Sequence, residues 1–280
     1  MKNKTLIIVS ITILSILALS FIGGMIYFLK NDFNFNFSFG SKNMSLIDSF
    51  EMNALEIKNI KLNVYSTDIE IEESKTEDIK VEYFSSKEKD IEIRKENNSI
   101  IIDEDKINNV CVGICFNKRK IVLYIPNSYT GEYNIETISG DIKSSIDMTN
   151  NKFNFITKSG DLSLQNVGLI NITTISGDLE IKNINDDASI QTTSGDMEIN
   201  QVNKTININT TSGDIDINEL NISDNSNIKT ISGDIEINNN ISHCYVEIDT
   251  VSGDKKINNS DRKSDIILKV KTVSGDISVN

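Results

Sequence analysis

The sequence predicts an all-β chain: a single-stranded parallel β-solenoid of about eight rungs, preceded by one transmembrane α-helix. Three observations predict it. A Thr-x-Ser-Gly-Asp unit recurs eight times, apolar residues alternate with polar ones on both sides of it, and the 25 residues from Thr5 to Leu29 carry no charge. Composition agrees: one Pro, no Trp, one His and an abundance of Ile and Asn suit short β-branched strands joined by polar turns.

Residues 1–4 form a short cytoplasmic N-terminus and residues 5–29 a transmembrane helix. At about 1.5 Å per residue this helix outspans a hydrocarbon core of roughly 30 Å. Lys2 and Lys4 precede it and Lys30 follows, so the positive-inside rule places the N-terminus inside and the rest of the chain outside, on a single-pass anchor in the cell membrane. A cleaved signal peptide is the rival reading. The apolar run is longer than a usual signal core, and Ala18-Leu19-Ser20 is a poor cleavage site. Residues 30–53 read as a juxtamembrane linker in which Phe33, Phe35, Phe37 and Phe39 alternate with polar residues at the level of the headgroups.

Residues 54–126 read as an N-terminal β region. Ile60, Leu62, Val64, Ser66, Thr67, Asp68, Ile69 and Ile71 repeat the apolar spacing of the later units, with Thr67 in place of Gly. Thr tolerates positive φ poorly, so this corner is expected to have its own shape. The alternating stretches Ile79 to Phe84, Ile91 to Ile93, Ile100 to Ile102 and Ile121 to Ile125 follow. Together they form the cap that a terminal repeat requires.

Residues 127–280 hold the array. Ser139, Ser159, Ser176, Ser194, Ser212, Ser232, Ser252 and Ser274 open its Ser-Gly-Asp triplets, 17 to 22 residues apart, with a Thr two positions before each. Apolar residues fall at even offsets before the Ser and at odd offsets after the Asp, so the chain turns a corner between two strands. Gly140, Gly160, Gly177, Gly195, Gly213, Gly233, Gly253 and Gly275 take that corner through positive φ. A unit this short cannot bury its own apolar face. Stacking at about 4.8 Å covers each rung with its neighbours, and Thr and Ser columns can exchange hydroxyl hydrogen bonds. Only four residues follow Asp276, so the last rung presents an edge open to end-to-end pairing, with Lys269 and Lys271 to discourage it.

Asp141, Asp161, Asp178, Asp196, Asp214, Asp234, Asp254 and Asp276 stand at the same corner. Such a like-charged ladder could recruit calcium. Calcium-binding rolls supply more glycines and carbonyls per turn, so the favoured expectation is that each Asp caps its own corner and no cofactor is held. Cys111 and Cys115 flank Gly113 closely enough for a local disulfide. Cys244 reads as a small buried hydrophobe, and a metal set of Cys111, Cys115, His243 and Cys244 has no zinc-like spacing. The net charge of −13 argues against nucleic acid and anionic lipid headgroups as partners and leaves cations or basic partners open.

From Lys120 to Pro126 and on through the first Ser-Gly-Asp unit, the chain resembles the bacterial putative-adhesin family, a domain of unknown function with β-strand repeats. The resemblance covers roughly residues 54–280 and implies a cell-surface solenoid with no catalytic residues to carry over. The functional expectation is a non-catalytic binding module whose flat, acidic, Asn-rich face contacts cell-wall glycan or an envelope protein. One alternative is an envelope-stress sensor or scaffold acting through a membrane partner. Another is a polysaccharide-active enzyme, but Lys143, Ser163, Glu180, Glu198, Asp216, Glu236, Lys256 and Ser278, four after each Ser, set no carboxylate pair apart.

Overall fold

Alternation of apolar and polar residues becomes strand along most of the described chain. The computed structural model describes residues 44–86, 89–105, 118–238, 243–258 and 260–280. The predicted helix at 5–29, the phenylalanine tract, and Cys111 with Cys115 lie outside these residues. Among the described residues no helix is long and apolar enough to cross a membrane.

The N-terminal region contributes β1 (Ser45–Asn53), a 3-10 turn at Ala54–Glu56, β2 (Asn59–Asn63), β3 (Asp68–Glu73), β4 (Asp78–Ser85), β5 (Ile91–Glu96), β6 (Ser99–Glu104) and β7 (Arg119–Ile125). The repeats contribute β8 (Glu132–Glu136), β9 (Ile142–Ile156), β10 (Leu162–Thr173), β11 (Leu179–Ile184), β12 (Ala188–Gln191), β13 (Met197–Val202) and β14 (Ile206–Asn209). They continue through β15 (Ile215–Leu220), β16 (Ser226–Lys229), β17 (Ile235–Ile237), β18 (Tyr245–Asp249), β19 (Lys255–Ile257), β20 (Ile267–Lys271) and β21 (Ile277–Val279).

Strands that enter the corners pair in parallel with one another: β2, β8, the second half of β9, the second half of β10, β12, β14, β16 and β20. Strands that leave the corners form a second parallel ladder, from β3 through the first halves of β9 and β10 to β11, β13, β15, β17 and β21. β9 and β10 run through both ladders, which is how the sheet winds back on itself. The alternation turns one side of each strand inward, so Ile60, Leu62, Ile135, Phe155, Ile172, Ile190, Ile208 and Ile228 share one buried cluster with Ile142, Leu162, Leu179, Met197 and Ile215. Each such side chain contributes about 1.5–3 kcal/mol on burial, a gain that exists only because rungs cover one another. The parallel solenoid expected from the repeat is the observed architecture.

The degenerate unit forms the first rung, with β2 on β8 and β3 on β9. β7 extends the leaving ladder in parallel on β3, and β6 extends the entering ladder in parallel on β2; antiparallel strands then close both, β4 and β1 after β7 and β5 after β6. This cap begins earlier than the sequence indicates. β1 lies within the stretch 30–53 assigned to a linker, and its half-buried Phe50 and Met52 pack on the core.

The first corner has no preceding rung to accept its amides. Buried Glu104 takes that place: its Oε2 accepts from Tyr65 N (2.7 Å), Thr67 Oγ1 (2.9 Å) and Ser66 N (3.4 Å). One rung later Tyr65 O does the same for Ser139 N at 2.9 Å. Arg119, 3.5 Å from Glu104 Oε1 and also paired with Asp90, compensates the buried charge.

The other end departs from sequence order. β20 lies between β16 and β18, and β21 between β17 and β19. The repeat around Ser274 is therefore inserted between the repeats around Ser232 and Ser252, and the open edge belongs to residues 243–258. The reason is Lys255. It stands in register with Ile277 and Ile235, at the core position. Between two isoleucines its ammonium would lose hydration at a cost of several kcal/mol; on the outermost rung it is exposed and 3.6 Å from Asp249.

Candidate functional site

Glycine is required at the corner, though not for a single reason. Gly177, Gly195, Gly213, Gly233, Gly253 and Gly275 have φ between 121° and 152°, whereas Gly140 and Gly160 do not have positive φ. Positive φ at all eight corners is thus corrected to six. What all eight share is contact: an added Cβ would meet the carbonyl oxygen of the adjacent corner at 2.0–2.3 Å. Thr serves both corner types. Thr137 and Thr157 Oγ1 accept from the Gly N two positions past the next residue, Gly140 and Gly160, while Thr174, Thr192, Thr210 and Thr230 Oγ1 donate to the Ser carbonyl two residues on. A hydroxyl both donates and accepts, so it tolerates either orientation of the Ser-Gly peptide. These bonds go to backbone. The expected hydroxyl exchange along the column is replaced by Ser Oγ contacts to the neighbouring rung's carbonyl, as at Ser159 to Ile138 O (3.3 Å).

The aspartates form a ladder of another kind than expected. Each of Asp141, Asp161, Asp178, Asp196, Asp214, Asp234, Asp276 and Asp254 donates its amide to Oδ1 of the Asp before it in the stack, starting from Asp68, at 2.7–3.2 Å. The carboxylate caps the neighbouring corner, not its own. One oxygen of each Asp but Asp254, the last in the stack, is thereby committed, and among the described residues no three His, Cys, Asp or Glu side chains converge as metal ligands. His243 Nε2 lies 3.1 Å from Ile222 O. Cys244 is buried and free, and burial pushes its thiol up to about 11, as suits a packing residue.

Variable side chains line up on the outside. Glu180, Glu198, Asp216 and Glu236 stand in register on the leaving ladder. Burial first, then Glu236 and Glu198, hold the Asp216 carboxyl above its usual range, and its Oδ1 is buried without a hydrogen-bond partner. On the entering ladder an amide column replaces the acids: Asn154 Nδ2 donates to Asn134 Oδ1 and Asn171 Nδ2 to Asn154 Oδ1, both at 2.9 Å. The acidic residues foreseen for one face are concentrated on the leaving ladder. A cleft of about 870 Å3 opens at the turn edge, lined by residues from 54–59, 128–132 and 149–152 with Leu169 and Asp186; neither the repeat nor the composition signals it.

No curated protein matches the chain. Crystal structures of a putative lipid-binding protein from Parabacteroides distasonis (17% identity, TM-score 0.54, covering 86% of this chain and 98% of that one) and of a putative adhesin from Bacteroides fragilis (14%, 0.49, 85% and 99%) are similar. A putative adhesin from Parabacteroides merdae is similar too, at 13% identity and TM-score 0.45 over 86% and 98% of the two chains. At these identities the first likeness speaks for the fold alone. The resemblance read from the repeats agrees with the Toastrack DUF4097 description, which matches residues 57–280. The chain belongs to the Toastrack DUF4097 family.

Proposed function

We propose that this protein is a non-catalytic surface module that binds cell-wall glycan or an envelope protein along the flanks of its solenoid. Residues 5–29 anchor it in the membrane, with the N-terminus in the cytoplasm and the solenoid outside. One observation carries the reading: the repeated Thr, Ser, Gly and Asp are consumed by bonds within and between the corners, whereas outward residues such as Glu198, Asp216 and Asn171 vary from rung to rung in strict register. Such a surface offers many weak contacts at a fixed pitch of about 4.8 Å to an extended partner.

The test is retention of the full chain, in detergent, on purified wall and on envelope membrane fractions. Retention that falls when Glu180, Glu198 and Glu236 are changed to Gln, or Asn134, Asn154 and Asn171 to Ala, is the expected result. Absence of retention on either fraction would overturn the reading. Crosslinking that returns a membrane kinase in place of wall material would favour a sensing role.

A further inference from the structure

Four adjoining rungs, those that turn at Ser159, Ser176, Ser194 and Ser212, divide their charge between two sides. The leaving side carries Asp161 and then the pairs Asp178 and Glu180, Asp196 and Glu198, Asp214 and Asp216. The entering side of the same rungs carries no charge in either outward column. Asn154, Asn171, Ser189 and Asn207 form one column in register. Ile156, Thr173, Gln191 and Asn209 form the other, about 6.6 Å away along the strands. All eight are exposed or half-buried. Charges border this face without entering it: Lys152 is 3.2 Å from Glu132 and Lys204 is 3.5 Å from Asp187 along the turn edge, Lys158 stands on the corner ridge, and Lys229 begins the next rung.

A side that meets only water gains nothing by excluding charge, since charged side chains are the best solvated of all. Hydrogen bonding within the fold does not account for these residues either. At the first rung the amides satisfy one another: Asn154 Nδ2 donates to Glu132 Oε1 (2.6 Å) and Asn134 Oδ1 (2.9 Å), and Asn171 Nδ2 to Asn154 Oδ1 (2.9 Å). From Ser189 onward the column stops bonding to itself. The side chains of Ser189, Gln191, Asn207 and Asn209 make no hydrogen bond to any described residue, so each amide keeps two N–H donors and a carbonyl acceptor. Ile156 and Ile175, on adjoining rungs at the corner side of the same face, are 50% and 54% exposed.

We propose that this face binds a linear, uncharged polysaccharide lying along the stack, one sugar to a rung, with Gln191, Asn207 and Asn209 bonding its hydroxyls and Ile156 and Ile175 against its C–H faces. Amides that both donate and accept match hydroxyls, which do the same. Carboxylates on the other side of the same rungs, and the net charge of −13, repel polyanions and leave the uncharged side for a neutral chain. The rung spacing of about 4.8 Å sets the step of the ligand, and an extended β-1,4-linked chain advances by nearly that distance per sugar. Single contacts are weak, and a polymer sums them through effective concentration. The proposal rests on the glycan-binding reading above and narrows it to one side of the solenoid and one class of glycan.

Calorimetric titration of the full chain, in a detergent without a sugar headgroup, with cellohexaose, chitohexaose and the anionic hexagalacturonate tests it. Saturable binding of an uncharged hexasaccharide and none of hexagalacturonate is expected. With shorter members of the series that binds, affinity should rise about fivefold per sugar, the worth of one hydrogen bond, and level off once the four rungs are covered. Asn207→Ala and Asn209→Ala should each weaken binding about fivefold while the thermal midpoint stays level, since neither side chain bonds to another residue. Failure of both uncharged hexasaccharides to bind, equal binding of hexagalacturonate, or unchanged affinity in both variants would each overturn the proposal. Retention on wall or envelope membrane that persists in any of those cases leaves the surface-module reading standing with a different ligand, an envelope protein where only membrane retains the chain; loss of retention on both fractions takes both down.

Discussion

Replacing Gly213 by Ala separates the two reasons for glycine at a corner. Gly213 has φ 128° and a Cβ there would sit 2.2 Å from Gly195 O. The conformation costs about 1–3 kcal/mol. Relieving the contact requires this corner to move away from its neighbour, which stretches Ser212 N to Thr193 O (2.9 Å) and Asp214 N to Asp196 Oδ1 (2.9 Å). At about 1 kcal/mol per hydrogen bond the sum is about 3–5 kcal/mol. A domain of this size responds by about 2–4 °C per kcal/mol, so the thermal midpoint should fall by about 6–20 °C. Gly140 supplies the control. It lacks positive φ, but a Cβ there would lie 2.1 Å from Thr67 O, so Gly140→Ala should still lose about 2–3 kcal/mol from the displaced bonds. Far-UV circular dichroism of both variants measures this. A Gly140→Ala protein within 2 °C of wild type would refute rung contact as the common cause.

Four further outcomes follow from the same geometry. Lys255→Ile removes the charge that confines its rung to the end, and light scattering across concentration should show self-association that the wild type lacks. Glu104→Gln leaves fewer acceptor positions for Tyr65 N and Thr67 Oγ1 and leaves Arg119 less well compensated, so urea unfolding should report a loss of about 3 kcal/mol or more; an unchanged midpoint would remove Glu104 from its capping role. Because the carboxyl of Asp216 titrates above its unfolded value, its ionisation opposes folding as pH rises through the folded pKa and is relieved below it. Asp216→Asn should therefore raise the thermal midpoint near pH 7 and lose that advantage near pH 3, where both forms are neutral. Cys244, buried with a raised thiol pKa, should resist thiol reagents until the chain is unfolded with denaturant.

The parity change across Ser-Gly-Asp made the corner and both strands of each rung legible, because a strand shows its buried side as a period of two. The register followed from the Ile columns. Lys255 was a signal in plain view, a charge where Ile142, Leu162 and Ile277 stand elsewhere, but its consequence is a rung order that spacing along the chain does not encode. Phe50 and Met52 were obscured by the nearby phenylalanine tract. The cleft at the turn edge was illegible because it is assembled from five stretches of the chain, and a bulge in β9 is visible only against its pairing with β10.

By itself, then, the sequence determined the repeating unit: a strand, a corner and a strand whose apolar faces are complete only when stacked. Tertiary structure decided what each corner residue bonds to, where the stack begins and ends, and which outward residues become neighbours. The physical reason lies in the range of the interactions. Period and turn chemistry act within a few residues, while Gly213 against Gly195, Asp214 on Asp196 and Glu104 on Tyr65 are contacts between rungs, defined only once the chain has chosen which rung lies on which.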